Sequence, residues 1–143
     1  MKIKIFTKNQ GFFKKFKKLE WIIESKIDVE LLSNSFSFEH FDGVLIWDVK
    51  EIFELETFRI LLNGIRNTKV VFLVDHKIND KGIINEVESI STMNEKVVGV
   101  FDIEKKVELL IPLIRFHLND LNKVRKLNGP DKFNENLVFS LNN

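Results

Sequence analysis

The chain has 143 residues and a formal net charge of +1, with 44% hydrophobic and 30% charged residues. This length suits one domain with a single core, and the composition is that of a globular protein rather than a disordered chain. Cysteine is absent, which excludes a disulfide framework and a thiolate metal site, and no apolar run is long enough to span a membrane. We expect a cytoplasmic protein.

The first half of the chain predicts three strands and one helix. Lys2–Thr7 alternates in polarity and predicts a strand, and Asn9 then suits the N-cap of a helix. The apolar stripe of that helix consists of Phe12, Phe16, Leu19 and Ile23. Asp28–Leu32 predicts a second strand, 33–41 is a short turn-rich connection, and Asp42–Asp48 predicts a strand buried on both faces.

The second half continues the alternation. A helix is predicted from the stripe Leu55, Phe58, Leu62 and Ile65, and apolar strands from Lys69–Asp75 and Lys96–Asp102, with a weaker helix between them. A last helix of about 34 Å is predicted over Lys105–Leu127, with a stripe of Val107, Leu110, Ile114, Leu118 and Leu121. Pro112 should kink this helix or mark a break near its start.

Apolar strands alternating with amphipathic helices predict an α/β fold with a parallel sheet. Five strands in this length favour the flavodoxin-like doubly wound order 2-1-3-4-5. The connection at 33–41 is so short that the second helix should be short or missing, and Lys2 and Lys4 are unusual on a central strand. We expect one domain over residues 1–127, followed by a polar tail, linker or added edge strand over 128–143.

In this order, polar residues gather where the strands end. The carboxyl ends of parallel strands meet at one edge of a sheet, which is the usual ligand-binding edge. Asn9, Asp48, Asp75 and the segment Gly99–Asp102 should therefore lie together.

Three segments resemble parts of the response-regulator receiver domain, over about residues 1–125. FDGVLIWD resembles the third receiver strand, NTKVVFLVD the fourth, and VVGVFDIEKKVELL the fifth with the start of its helix. The resemblance implies that Asp48 is the phosphoacceptor position. It also implies an acidic pair for Mg²⁺ after the first strand, a switch hydroxyl at the end of the fourth strand and a Lys on the fifth.

Most of these implied parts are missing. Lys8 and Asn9 stand where the acidic pair is expected, Val74 at the switch hydroxyl, and Gly99 at the Lys. Phosphoryl transfer would lose its main electrostatic stabilisation without them. We therefore interpret Asp48 as an acid that merely ends the strand at a vestigial phosphoacceptor position, and the alternative is a working phosphoacceptor.

The sequence thus predicts a pseudo-receiver: a non-enzymatic signalling module of a bacterial two-component or transcription-control system, without cofactor. It would act through a protein partner or homodimer, using the last strand and helix, Val97–Val124. The alternative is a divergent receiver phosphorylated on Asp48, with Mg²⁺ held near Asp75 or Asp102. Whether the chain belongs to a longer protein stays open.

Two further functions are disfavoured. A flavodoxin-like ligand-binding protein or enzyme would need a phosphate loop, and TKNQGFFKK contains a single glycine. The basic run Lys14–Lys18 interleaves with Phe at helical spacing and predicts a solvated helix face, so we expect neither membrane nor nucleic-acid binding by this domain.

Overall fold

A parallel sheet forms the centre of the protein. The structure is a computed structural model that describes residues 2–32, 42–62 and 67–127. Within these ranges the strands are β1 Lys2–Phe6, β2 Asp28–Leu32, β3 Gly43–Asp48, β4 Thr68–Val74 and β5 Val97–Asp102. The helices are α1 Gln10–Lys17, α2 Glu20–Glu24, α3 Ile52–Leu62, α4 Lys81–Met93 and α5 Leu110–Leu127, the last preceded by a 3₁₀ turn at Val107–Leu109.

The strand order is β2-β1-β3-β4-β5 and every pairing is parallel. The predicted doubly wound order is therefore confirmed. The two lysines of β1 are accommodated differently. Lys2 Nζ lies 3.6 Å from Asp28 Oδ2 and 3.4 Å from Glu30 Oε1, both on the neighbouring edge strand. Lys4, in contrast, is buried.

The sheet carries a core on each face because successive strand residues point to opposite sides. One core contains Leu45, Trp47 and Val49 of the β3 segment and packs under α3 and α4. The other contains Val44 and Ile46 and packs under α1, α2 and α5. Double coverage explains why β3 reads as an unbroken apolar run, as the sequence predicts.

The prediction of a single first helix is wrong, because this segment forms two helices, α1 and α2, joined at an extended Leu19. This break changes the helical phase, so that Ile22 is buried at 3% exposure while Ile23 is 61% exposed. The predicted stripe holds for Phe12 and Phe16, which are buried, and fails for Ile23.

The last helix begins later than predicted, at Leu110 rather than Lys105. Its 18 residues span about 27 Å. Pro112 lies in its first turn, where no backbone N–H is needed; in a helix begun at Lys105 it would stand in the interior and cost about 3 kcal/mol. The proline therefore marks a break near the start, one of the two outcomes predicted.

Three predictions fall outside the described residues: the short or missing helix between β2 and β3 at 33–41, the place of Ile65 in the predicted helix stripe, and the nature of 128–143. In the part of the chain that the structure describes, no helix combines the length and hydropathy needed to cross a bilayer.

Candidate functional site

Asp48, the last residue of β3, lies at the carboxyl edge of the sheet, as predicted. It is almost fully buried, with 2% of the residue exposed. Thr7 follows the neighbouring strand β1, and its Oγ1 donates a hydrogen bond of 2.7 Å to Asp48 Oδ2. A buried carboxylate is costly unless it is hydrogen-bonded or paired, so Thr7 supplies part of what Asp48 needs.

Lys50 supplies a countercharge. Its Nζ lies 3.2 Å from Asp48 Oδ1 and forms an ion pair. The contact lacks the alignment of a hydrogen bond, since Oδ1 makes none with the described residues. The Lys50 side chain is 35% exposed, so water screens part of its charge, yet the cation still offsets the buried carboxylate.

Lys8 and Asn9 do not act on Asp48 directly. Lys8 is exposed, and the cation beside Asp48 is Lys50 instead. Asn9 is the N-cap of α1, as predicted: its Oδ1 accepts from the Phe12 N–H at 3.0 Å. The Asn9 N–H donates to Thr7 Oγ1 at 2.9 Å. The segment after β1 therefore forms a helix cap joined to Asp48 through the Thr7 hydroxyl.

Val74 and Gly99 take different places relative to Asp48. Val74 ends β4 and is buried, so it brings only methyl groups to this edge. Gly99 lies opposite Val71 inside the sheet. The β5 residue on the same level as Asp48 is Phe101, two positions later, since both are paired with Leu73.

Asp75 is engaged in the loop that follows β4. Its Oδ1 accepts from the Lys77 N–H at 3.0 Å, and its own N–H donates to Asn79 Oδ1 at 2.7 Å. Buried Asn79 in turn donates from Nδ2 to the Val49 carbonyl at 3.1 Å. These bonds fix the loop against the end of β3.

Asp102 is engaged in the loop that follows β5. Its Oδ2 lies 2.9 Å from His76 Nδ1, and its Oδ1 accepts from the Glu104 N–H at 2.9 Å. A second link between the two loops joins Lys77 Nζ to Glu104 Oε2 at 2.8 Å. The hydrogen bond and charge of Glu104 raise the pKa of the Lys77 ammonium above its ordinary value.

The arrangement does not fit a magnesium site. A hard divalent cation needs several converging oxygen ligands. Asp48 faces the cation of Lys50, while Asp75 and Asp102 accept hydrogen bonds within their own loops. Among the described residues, no group of three or more His, Asp or Glu side chains is placed to hold a metal ion.

Three contributors to this edge were missed from the sequence: the hydroxyl of Thr7, Lys50 and Asn79. The role of Thr7 had a signal, because the residue after β1 must lie beside the end of β3 when these strands pair in parallel. Lys50 had none, since a flexible side chain beyond a strand end has no direction set by the strand period.

Comparisons with known proteins agree on the fold. The signal receiver domain of a Luxo repressor protein from Vibrio parahaemolyticus superimposes with a TM-score of 0.59 and 12% identity, over 90% of this chain and 97% of that one. The pilus assembly protein CpaE from Caulobacter crescentus superimposes with a TM-score of 0.57 and 12% identity, over 80% of this chain and 97% of that one. No protein-family model and no curated protein matches the sequence. The chain therefore has a receiver fold.

Proposed function

We propose that this chain is a receiver-like signalling module that works without phosphorylation. The observation that supports this is the engagement of both Asp48 oxygens, Oδ2 by the Thr7 hydroxyl and Oδ1 by the Lys50 ammonium. A carboxylate that accepts a phosphoryl group needs an accessible oxygen in line with the phosphorus atom. Only 1% of the Asp48 side chain is exposed.

The electrostatics support the same proposal. Phosphoryl transfer is stabilised by cations and hydrogen-bond donors aimed at the transferred group. Here the nearest cation, Lys50, neutralises the acceptor carboxylate itself, and Val74 brings no hydroxyl to the edge. We therefore propose that the domain has no enzymatic activity and requires neither Mg²⁺ nor another cofactor.

The test is exposure of the purified chain to acetyl phosphate and Mg²⁺, followed by intact-mass measurement. We expect no species heavier by one phosphoryl group. The matched control is Asp48→Asn, which should likewise give no phosphorylated species. Stoichiometric phosphorylation that disappears in Asp48→Asn would refute the proposal and establish the alternative, a divergent receiver phosphorylated on Asp48.

Signalling without phosphorylation must use a contact surface. We propose that the last strand and helix, Val97–Val124, bind a protein partner or a second copy of the chain. β5 is an edge strand that pairs only with β4 among the described strands, and Leu109 and Phe116 are each 58% exposed. Exposed large apolar side chains beside an open sheet edge are typical of interaction surfaces.

The receiver fold supports a proposal for the setting. We propose a role in bacterial two-component signalling or transcription control, in the cytoplasm. Contact with a membrane or with nucleic acid is not part of the proposal, since the lysines of α1 alternate with phenylalanines that pack inward.

A further inference from the structure

A crevice of about 450 Å³ lies between the start of α1 and the segment that follows β5. Phe12 and Val107 contribute apolar surface to it, and both are largely buried. Lys15 lines it from α1, and Lys105 and Lys106 line it from the other segment. A concave site with an apolar wall and a few charged groups has the general form of a small-molecule site, and its volume lies in the usual range.

The crevice carries more positive charge than its own acids offset. Lys15, Lys105 and Lys106 form no ion pair with any residue that the structure describes. Of the two acids in the lining, Glu104 is already paired with Lys77, which leaves Glu108 alone against the three lysines. Like charges that share a concavity repel one another, and a bound anion relieves that repulsion.

We propose that this crevice binds a small organic anion that carries phosphate or carboxylate groups on an apolar body. The three ammonium groups would contact the anionic groups, and Phe12 and Val107 would contact the apolar portion. A compact ligand is favoured over a protein segment because the charges line one crevice rather than an extended face.

The site is distinct from the edge at Asp48, which is not among its lining residues. Asn9 belongs to both, since it lines the crevice and donates its N–H to the Thr7 hydroxyl that binds Asp48. The proposal does not depend on whether Asp48 is phosphorylated.

The experiment is a titration of the full chain at low salt, followed by amide NMR, with adenosine 5′-monophosphate and phthalate as probes. Adenosine and inorganic phosphate test the apolar body and the anion separately. We expect at least one organic anion to bind and to shift the amide signals of Gly11 and Lys105–Glu108. It should bind more tightly than adenosine or inorganic phosphate. The stronger probe identifies phosphate or carboxylate as the preferred group.

Two triple variants with the same change in net charge separate a site from general attraction. Lys15→Gln with Lys105→Gln and Lys106→Gln should weaken binding at least about tenfold. Lys14→Gln with Lys18→Gln and Lys81→Gln removes exposed lysines outside the crevice and should change it less than about twofold. Equal weakening by both triples, or no binding of either organic anion at millimolar concentration, would overturn the proposal.

Discussion

The Thr7 hydroxyl donates a 2.7 Å hydrogen bond to Asp48 Oδ2 and joins the end of β1 to the end of β3. Both residues are at most 2% exposed. The same hydroxyl accepts the N–H of Asn9 at the start of α1. One buried oxygen atom therefore holds together two strands and the helix cap at the edge where a receiver would carry its chemistry.

Thr7→Val keeps the shape of the side chain and removes this oxygen. Asp48 Oδ2 and the Asn9 N–H would each lose a partner, so we expect the free energy of unfolding to fall by about 1–3 kcal/mol. Urea unfolding followed by circular dichroism measures the change. Thr92→Val is the matched control: its hydroxyl donates to the Glu88 carbonyl on an exposed helix face, and its loss should cost less than about 0.5 kcal/mol. Equal costs would show that Asp48 does not need the Thr7 hydroxyl.

Lys50→Met removes the cation beside Asp48 Oδ1. We expect destabilisation of about 1–2 kcal/mol, below the range for a fully buried pair because the Lys50 side chain is 35% exposed. In the Asp48→Asn background the same change should cost less than about 0.5 kcal/mol, since no carboxylate is left to neutralise. A double-mutant cycle by urea unfolding gives the coupling.

Lys8→Met provides the control for Lys50→Met. Lys8 is the cation that the sequence places near Asp48, yet it is exposed and its replacement should change stability by less than about 0.5 kcal/mol. A larger loss from Lys8→Met than from Lys50→Met would reverse the assignment of the neutralising charge.

The sequence predicted the sheet because β3, β4 and β5 are apolar runs that only a doubly covered parallel strand explains. It also predicted that Asp48 stands at the edge, because the end of an apolar run is visible. The helix boundaries were harder to predict from the sequence. The extended Leu19 and the start of the last helix at Leu110, two residues before Pro112, depend on packing against the sheet, which a periodic stripe does not record. The partner of Asp48 depends on the direction of one lysine side chain, which no pattern encodes.

Gly43 is required by the close approach of β1. Its φ is +154°, and a Cβ there would lie 1.8 Å from the Lys2 carbonyl oxygen. Because that obstacle is backbone in a paired strand, Gly43→Ala should lower the free energy of unfolding by at least about 3 kcal/mol or abolish folding. Thermal and urea unfolding provide the measurement.

Gly99→Ala is the matched control for Gly43→Ala. Its Cβ would meet only the Leu113 Cδ2 methyl group at 3.1 Å, and that side chain can move. A change of less than about 1 kcal/mol is expected. If both glycines tolerate alanine equally, the close pairing of Lys2 with Gly43 is not a constraint on the fold.

Lys77 should titrate above 10.5, its ordinary pKa, because Glu104 accepts a hydrogen bond from its ammonium and adds a nearby negative charge. A pKa raised by folding stabilises the native state while the lysine is protonated, and this contribution disappears as the pH rises through the folded-state value. The window therefore lies in the alkaline range. NMR titration of the lysine side chain should show the pKa falling in Glu104→Gln. Glu108→Gln should leave it unchanged, and an equal fall in both variants would contradict a specific Glu104 contact.

The proposed contact surface on the last helix can be tested by self-association. Leu109, the last residue of the 3₁₀ turn before α5, and Phe116 of α5 are both 58% exposed and are the large apolar side chains that this surface offers to a partner. If a second copy covers Leu109 and Phe116, Leu109→Gln with Phe116→Gln should weaken dimerisation at least about tenfold in analytical ultracentrifugation, because large apolar side chains at the centre of an interface carry most of its affinity.

Ile60→Gln with Ile78→Gln is the matched control for the Leu109 and Phe116 pair: these side chains are 76% and 69% exposed and lie outside Val97–Val124. Equal weakening by both pairs would place the interface elsewhere, and a wild-type chain that remains monomeric at millimolar concentration would exclude the homodimer.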